Sequence, residues 1–183
     1  RNIGRIRRHL TEDAAKTLIQ AFVVSKLDNL NSLLYGLPDK VVRKLQLVQN
    51  QAARIIVRHG RYDNITSSLQ NLHWLPVTYR IQYKISMLTY KCLHHTAPEY
   101  LCELVGAFEP SRGLRTAGKG LVIEKTAKTG KTYGDRAFSV CAPRLLNRLP
   151  EHIRTIDSLA GSKRELKTHL FKLAYELYRV SWH

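Results

Sequence analysis

Leu72-His73-Trp74-Leu75-Pro76-Val77 is the stretch that divides the chain. A residue before proline avoids the helical region, so His73, Trp74 and Leu75 are expected to be extended. Pro76 falls at the first turn of a helix, where its missing N–H has no helical partner to lose. Downstream, Val77, Ile81, Ile85, Leu88 and Cys92 recur at steps of three and four, the apolar face of one long helix. Upstream, a short helix after Thr66 carries Leu69 and Leu72 as its apolar pair. The extended stretch thus joins a short helix to a long one.

The same periodicity extends towards the N-terminus. Thr11-Glu12-Asp13 reads as a helix start, a Thr cap followed by acids at the positive end of the dipole. Ala15, Leu18, Ile19, Phe22, Val23, Leu27, Leu30 and Leu34 form its apolar face, and Gly36 and Pro38 stop it. A second helix starts near Asp39, turns Val41, Leu45, Val48, Ala52, Ile55 and Ile56 inward, and ends at Gly60. Lys40, Arg43, Lys44, Arg54 and Arg58 are left on its outer surface.

Towards the C-terminus, Pro98 opens a short helix through Tyr100, Leu101 and Leu104. Six of the ten glycines then fall between Gly106 and Gly134, among many basic residues, and only Leu121-Val122-Ile123 reads as a strand. Helical pattern returns over 136–147, interrupted by Pro143. A last helix carries Leu166, Leu170, Leu173 and Leu177 behind a capping-box pair, Ser162 and Glu165. An earlier start at Ser158 would place Gly161 inside it. The expected fold is mainly α: a helical bundle over 1–105, a basic Gly-containing loop with room for a short β-hairpin over 106–135, and a small helical tail over 136–183.

Thirty Lys and Arg against fourteen Asp and Glu give a net charge of +16. Residues 1–61 and 111–183 hold all of the excess, and 62–110 is close to neutral. A cationic surface attracts polyanions over a Debye length, so two basic flanks around a packed, aromatic-bearing middle predict nucleic-acid contact. No apolar run approaches the roughly 20 residues that span a bilayer, and no secretory leader pattern is seen. Three cysteines, Cys92, Cys102 and Cys141, are too sparse for a disulfide framework, which points to a reducing, intracellular compartment, nucleus or cytoplasm. A chain that opens at Arg1 within a basic helical pattern reads as a piece of something longer.

Catalytic patterns are weak throughout. Metal-dependent phosphoryl chemistry needs converging carboxylates, and the only adjacent acids, Glu12-Asp13, are explained by their helix start. Cys92, His94, His95 and Cys102 lack the paired spacing of a zinc site. Gly130-Lys131-Thr132 resembles the tail of a phosphate loop, yet Lys125 stands where the loop needs its first glycine. The chain alone is therefore expected to be no enzyme, with no metal, no cofactor and no small-molecule substrate.

The basic residues carry more. Arg5, Arg7 and Arg8 precede a helix; Arg43, Lys44, Arg54 and Arg58 share one helix surface that has no acid after Asp39. Arg112, Arg115, Lys128, Lys131 and Arg136 lie in or beside the Gly-containing loop, which can follow a phosphate backbone with side chains and amides. These twelve are the expected nucleic-acid contacts. Trp74, Tyr79, Tyr83 and Tyr90 are able to stack on bases, but their place in the neutral middle favours packing.

Eight stretches, in order, resemble the C-terminal region of reverse transcriptases from non-LTR retrotransposons of the LINE type. They are Arg1 to Arg7, Leu10 to Lys16, Asn31-Ser32-Leu33-Leu34-Tyr35-Gly36-Leu37-Pro38, Leu45 to Ala53, Leu72 to Val77, Ala97-Pro98-Glu99-Tyr100-Leu101, Lys131 to Phe138, and Leu166-Lys167-Thr168-His169-Leu170-Phe171. The chain departs from that family at Asn29-Leu30, where a tyrosine-cysteine pair is common, and at Gly161 in the last helix. The resemblance implies a thumb and post-thumb segment that grips template RNA or RNA–DNA duplex and docks on upstream palm and fingers. The metal-binding aspartates of that family lie upstream, in the palm. It implies reverse transcription for a parent polypeptide and not for this piece. The competing readings are a helical module that docks on the palm or a host factor, and a decayed copy of the element with no selected role.

Overall fold

The computed structural model describes residues 2–29, 31–60, 62–106, 120–124 and 134–176. They are mainly helical and fall into two compact units. The first holds the described residues up to Arg80 together with those from Phe171 on; the second runs from Ile81 to Leu170. The division falls inside two helices and returns the end of the described chain to the first unit.

In the first unit, α1 (Asn2–Ile6) and a 3-10 turn (Arg7–His9) precede α2 (Glu12–Ile19). Thr11 caps α2 as expected, its Oγ1 accepting from the Ala14 N–H at 3.2 Å. The helix then passes through a π turn, Gln20–Val24, into α3 (Ser25–Asp28). A π turn adds one residue to the turn, so Val24 follows Ala15 and Ile19 into the core while Phe22 is 66% exposed. Asn29 is extended, and Asn31–Leu34 form a separate 3-10 turn, so the first helix does not reach Leu34.

Helix α4 (Asp39–Val57) buries Gln49, Ala52, Ala53 and Ile56. That face is turned from the expected one: Val41 and Val48 are 40% and 44% exposed. The reason lies at the corner. Gln49, fully buried, donates from Nε2 to the Leu75 carbonyl at 2.9 Å, and Gln46 Oε1 accepts from the Val77 N–H at 2.8 Å. Two backbone groups flanking Pro76 thereby find partners on α4, and the helix is rotated to supply them.

Helix α5 (Ile65–Asn71) ends with His73 in the left-handed region, φ 52°. The Trp74 N–H donates to Leu69 O at 2.9 Å and the His73 N–H to Gln70 O at 2.9 Å, the two bonds of a Schellman termination. His73 is therefore not extended. The motif throws Trp74 back over Leu69, and both join Ile19, Val24, Ala52, Ile56 and Tyr175 in the core. The Tyr175 hydroxyl donates to the Trp74 carbonyl. α4 also ends on a left-handed residue, Arg58, φ 56°, where the Arg58 and His59 N–H groups both donate to Arg54 O. Arg80, in the first turns of α6 (Val77–Leu93), pairs with Asp28, Nε to Oδ1 at 2.8 Å.

In the second unit α6 buries Ile81, Ile85, Met87, Tyr90 and Cys92, a broader face than the pattern predicted. It ends at His95, φ 51°, with a second Schellman pair, and α7 (Glu99–Cys102) follows. Among residues 120–124 there is an isolated bridge at Val122 rather than a strand. The Ile123 N–H donates to Gly106 O at 3.0 Å, and the Asn147 side chain holds Val122 as well: the Val122 N–H donates to its Oδ1 at 3.0 Å, and its Nδ2 donates to Val122 O at 2.9 Å. The rest of the expected hairpin lies outside the described residues. α8 (Phe138–Asn147) runs through a buried Pro143, and α9 (Glu151–Arg154) is one turn.

The last helix, α10 (Leu159–Glu176), begins at the earlier of the two expected starts. Ser158 Oγ accepts from the Gly161 N–H at 3.4 Å, and Ser162 is buried inside the helix rather than capping it. Gly161 is tolerated there for space: a Cβ would stand 3.1 Å from Ile156 Cγ2.

Candidate nucleic-acid interface

The rotation of α4 decides which side chains remain outside. Lys40, Lys44, Leu47, Gln51, Arg54 and Arg58 follow one another at steps of four and three, a single stripe opposite the buried face. At 1.5 Å per residue it is roughly 27 Å long. Arg43 lies one step to its side. Lys40, Arg43, Lys44 and Arg58 are exposed, and Arg54 is half-buried. Among the described residues none of these five cations forms an ion pair; the pairs found are Arg80–Asp28, Arg144–Asp135 and Arg164–Glu165.

Helix stability accounts for only part of the stripe. Cations near a helix C-terminus complement the dipole, which explains Arg54 and Arg58. Lys40 stands in the first turn, where a positive charge costs about 0.3–1 kcal/mol. Arg43 and Lys44 follow one turn later; Asp39, one turn before Arg43, is the last acid of the helix and forms no ion pair with it. Leu47, 53% exposed at the centre of the stripe, is likewise unexplained by folding.

The N-terminal arginines divide. Arg7 is 8% exposed, and each nitrogen of its guanidinium donates to a backbone carbonyl: Nε to Ile55 O, Nη2 to Ile56 O and Nη1 to Leu10 O, each at 2.7 Å. It closes carbonyls at the C-terminal end of α4 from a buried position, which gives it a structural role that its exposed neighbours lack. Arg5 and Arg8, its exposed neighbours, are carried to the same helix end. Arg8 Nε donates to the ring of His9 at 2.9 Å, and Arg58 Nη2 reaches Leu10 O at 3.5 Å. Arg5, Arg8, Arg54 and Arg58 thus gather around one end of α4.

The second basic block is described in part. Arg136 is half-buried in a 3-10 turn, Gly134–Arg136, and Arg144 is paired with Asp135 at 3.1 Å. Arg112, Arg115, Lys128 and Lys131 lie outside the described residues. No group of three His, Cys, Asp or Glu stands close enough to hold a metal ion among the described residues, and no described helix is long and apolar enough to cross a membrane. The Cys92 thiol is pushed up to about 11 by burial and then by its neighbour Cys102; burial, partly offset by backbone N–H groups and by Arg144, pushes the Cys141 thiol up to about 11. Both are poor nucleophiles at neutral pH.

Sequence reasoning placed Lys40 on the outer surface but left it out of the contact set, and it missed Leu47. Both follow from the direction of rotation, which the buried Gln49 sets. Comparison of the chain with protein-family models, with curated proteins and with solved structures finds no match.

Proposed function

We propose that this chain is a non-catalytic nucleic-acid grip, the C-terminal segment of a retrotransposon RNA-directed DNA polymerase, holding template RNA or RNA–DNA duplex through its phosphates. The observation that carries the reading is the outer face of α4: five cations over about five turns, with no acid after Asp39 and no ion pair among the described residues, and with Lys40 set against the helix dipole. The ordered resemblance to LINE reverse transcriptases supplies the parent enzyme, and the basic flanks supply the polyanion. Arg5, Arg8, Arg43, Lys44, Arg54 and Arg58 are the contact residues, with Lys40 added and Arg7 withdrawn.

The test is reversal of charge at Lys40 and Lys44. Both are exposed near the helix N-terminus, where a carboxylate favours the helix, so folding is preserved. Duplex affinity is expected to fall at least tenfold, with an unchanged far-ultraviolet spectrum; unchanged affinity would remove the proposal. A second reading draws on exposed Val41, Leu47 and Val48, an apolar seam beside the cations suited to a docked helix of the parent polymerase. Leu47→Ser distinguishes the two, since it leaves phosphate binding intact and weakens a protein partner.

A further inference from the structure

A cleft of about 370 Å³ opens in the first unit along the flank of α4, and Arg43 belongs both to it and to the basic face. Its lining is apolar at Leu69 and Pro76, with Tyr79 among its walls and Gln46, Asn50, Thr66, Thr78 and Asp39 among its polar groups. The volume suits a nucleotide-sized group and not an extended helix.

The chemistry of its key donor is fixed from the corner around Pro76. The Val77 N–H can only donate, so the Gln46 atom that meets it at 2.8 Å is the carbonyl oxygen. Gln46 must then present Nε2 to its neighbours, donating to Gln49 Oε1 at 3.0 Å and to Asn50 Oδ1 at 2.8 Å. Gln49 in turn sends Nε2 to Leu75 O, which can only accept. Every amide in the relay has one permitted orientation. Asn50 is left with its Oδ1 engaged and its Nδ2 without a partner among the described residues, on a residue that lines the cleft. Thr66 and Thr78 are exposed on the rim, and Arg43 makes no ion pair there.

We infer that the cleft takes an unpaired nucleobase of a bound strand, with Asn50 Nδ2 donating to a carbonyl or ring nitrogen of the base and Arg43 holding the adjoining phosphate. The apolar lining and the Tyr79 ring cover the faces of the base, as aromatic and apolar walls do for flipped or single-stranded bases. Asp39 accepts from a base amino group or a ribose hydroxyl. This inference rests on the nucleic-acid reading of the α4 face and adds a base-recognition site to it.

The test compares a labelled short oligouridylate with the same strand made abasic at its central positions, both titrated with the whole chain by fluorescence anisotropy at about 100 mM salt. Stacking and hydrogen bonding to one base predict about tenfold tighter binding of the intact strand. Thr66→Trp, which fills the cleft from an exposed position, should erase that difference and leave affinity for the abasic strand unchanged. Thr78→Trp, from the opposite rim, serves if the first variant fails to fold. Equal, salt-dependent affinity of wild type for the two strands overturns the cleft and spares the phosphate grip. Discrimination that survives both Trp variants also overturns it. Failure to bind either strand or an RNA–DNA duplex overturns the grip, and the cleft with it.

Discussion

The inner and outer faces of α4 are both rich in polar groups, and they differ in what those groups meet. On the inner side, Gln46 and Gln49 hold the two peptide groups around Pro76, while Arg7 covers the carbonyls at the helix end. On the outer side, Lys40, Arg43, Lys44, Arg54 and Arg58 form no ion pair among the described residues. A buried polar group without a partner costs free energy, so the inner set is dictated by folding. Lys40, Arg43 and Lys44 in the outer set have no such cause. The difference separates residues that build the helix's position from residues left available to a ligand.

Arg7→Ala breaks the inner side most severely. Three charge-assisted bonds to carbonyls are lost, and stability measured by urea unfolding should fall by about 3 kcal/mol. Arg8→Ala, one residue away and exposed, should change it by less than about 0.5 kcal/mol. If the two variants unfold alike, Arg7 is not the staple described. Gln49→Leu comes next: it strands the Leu75 carbonyl and one Gln46 donor, for about 2 kcal/mol.

His73→Gly acts on the backbone beneath the same corner. The left-handed conformation that costs an L-residue about 1 kcal/mol is free for glycine, so this variant should be more stable by about that amount. A loss of stability would mean that the imidazole has a packing role larger than its backbone strain.

The thiols of the second unit carry the contrast to titration. Burial raises Cys92 and Cys141 from an ordinary value of 9.0 to about 11, so the folded chain keeps protons that the unfolded chain releases. Their contribution is complete below pH 9 and is lost as pH rises through about 11. Unfolding midpoints between these limits should decline in wild type and decline less steeply in a Cys92→Ala, Cys141→Ala variant.

The helical class, the Thr11 cap, the break at Pro76 and the outward position of the α4 cations were all legible in the sequence. Each depends on spacing or on a local preference. What was not legible depends on distant partners. The π turn at Gln20–Val24 has no composition signal; only the burial of Val24 explains it. The rotation of α4 required knowing that a glutamine would be buried to serve Leu75 and Val77. Arg7 looked like its neighbours Arg5 and Arg8, because nothing local tells a staple from a surface cation. Left-handed terminations at Arg58, His73 and His95 were hidden by the absence of the glycine that usually marks them.

The most direct measurement is the salt dependence of binding to an RNA–DNA duplex, wild type against a variant with Lys40, Arg43, Lys44, Arg54 and Arg58 all changed to Gln. Five phosphate contacts give a slope of log affinity on log salt of about −4.5, roughly a five-hundredfold loss between about 50 and 200 mM. The variant should retain its fold and lose most of that slope. A wild-type slope near zero, or one that the five substitutions leave unchanged, contradicts the assignment of the α4 face as the grip.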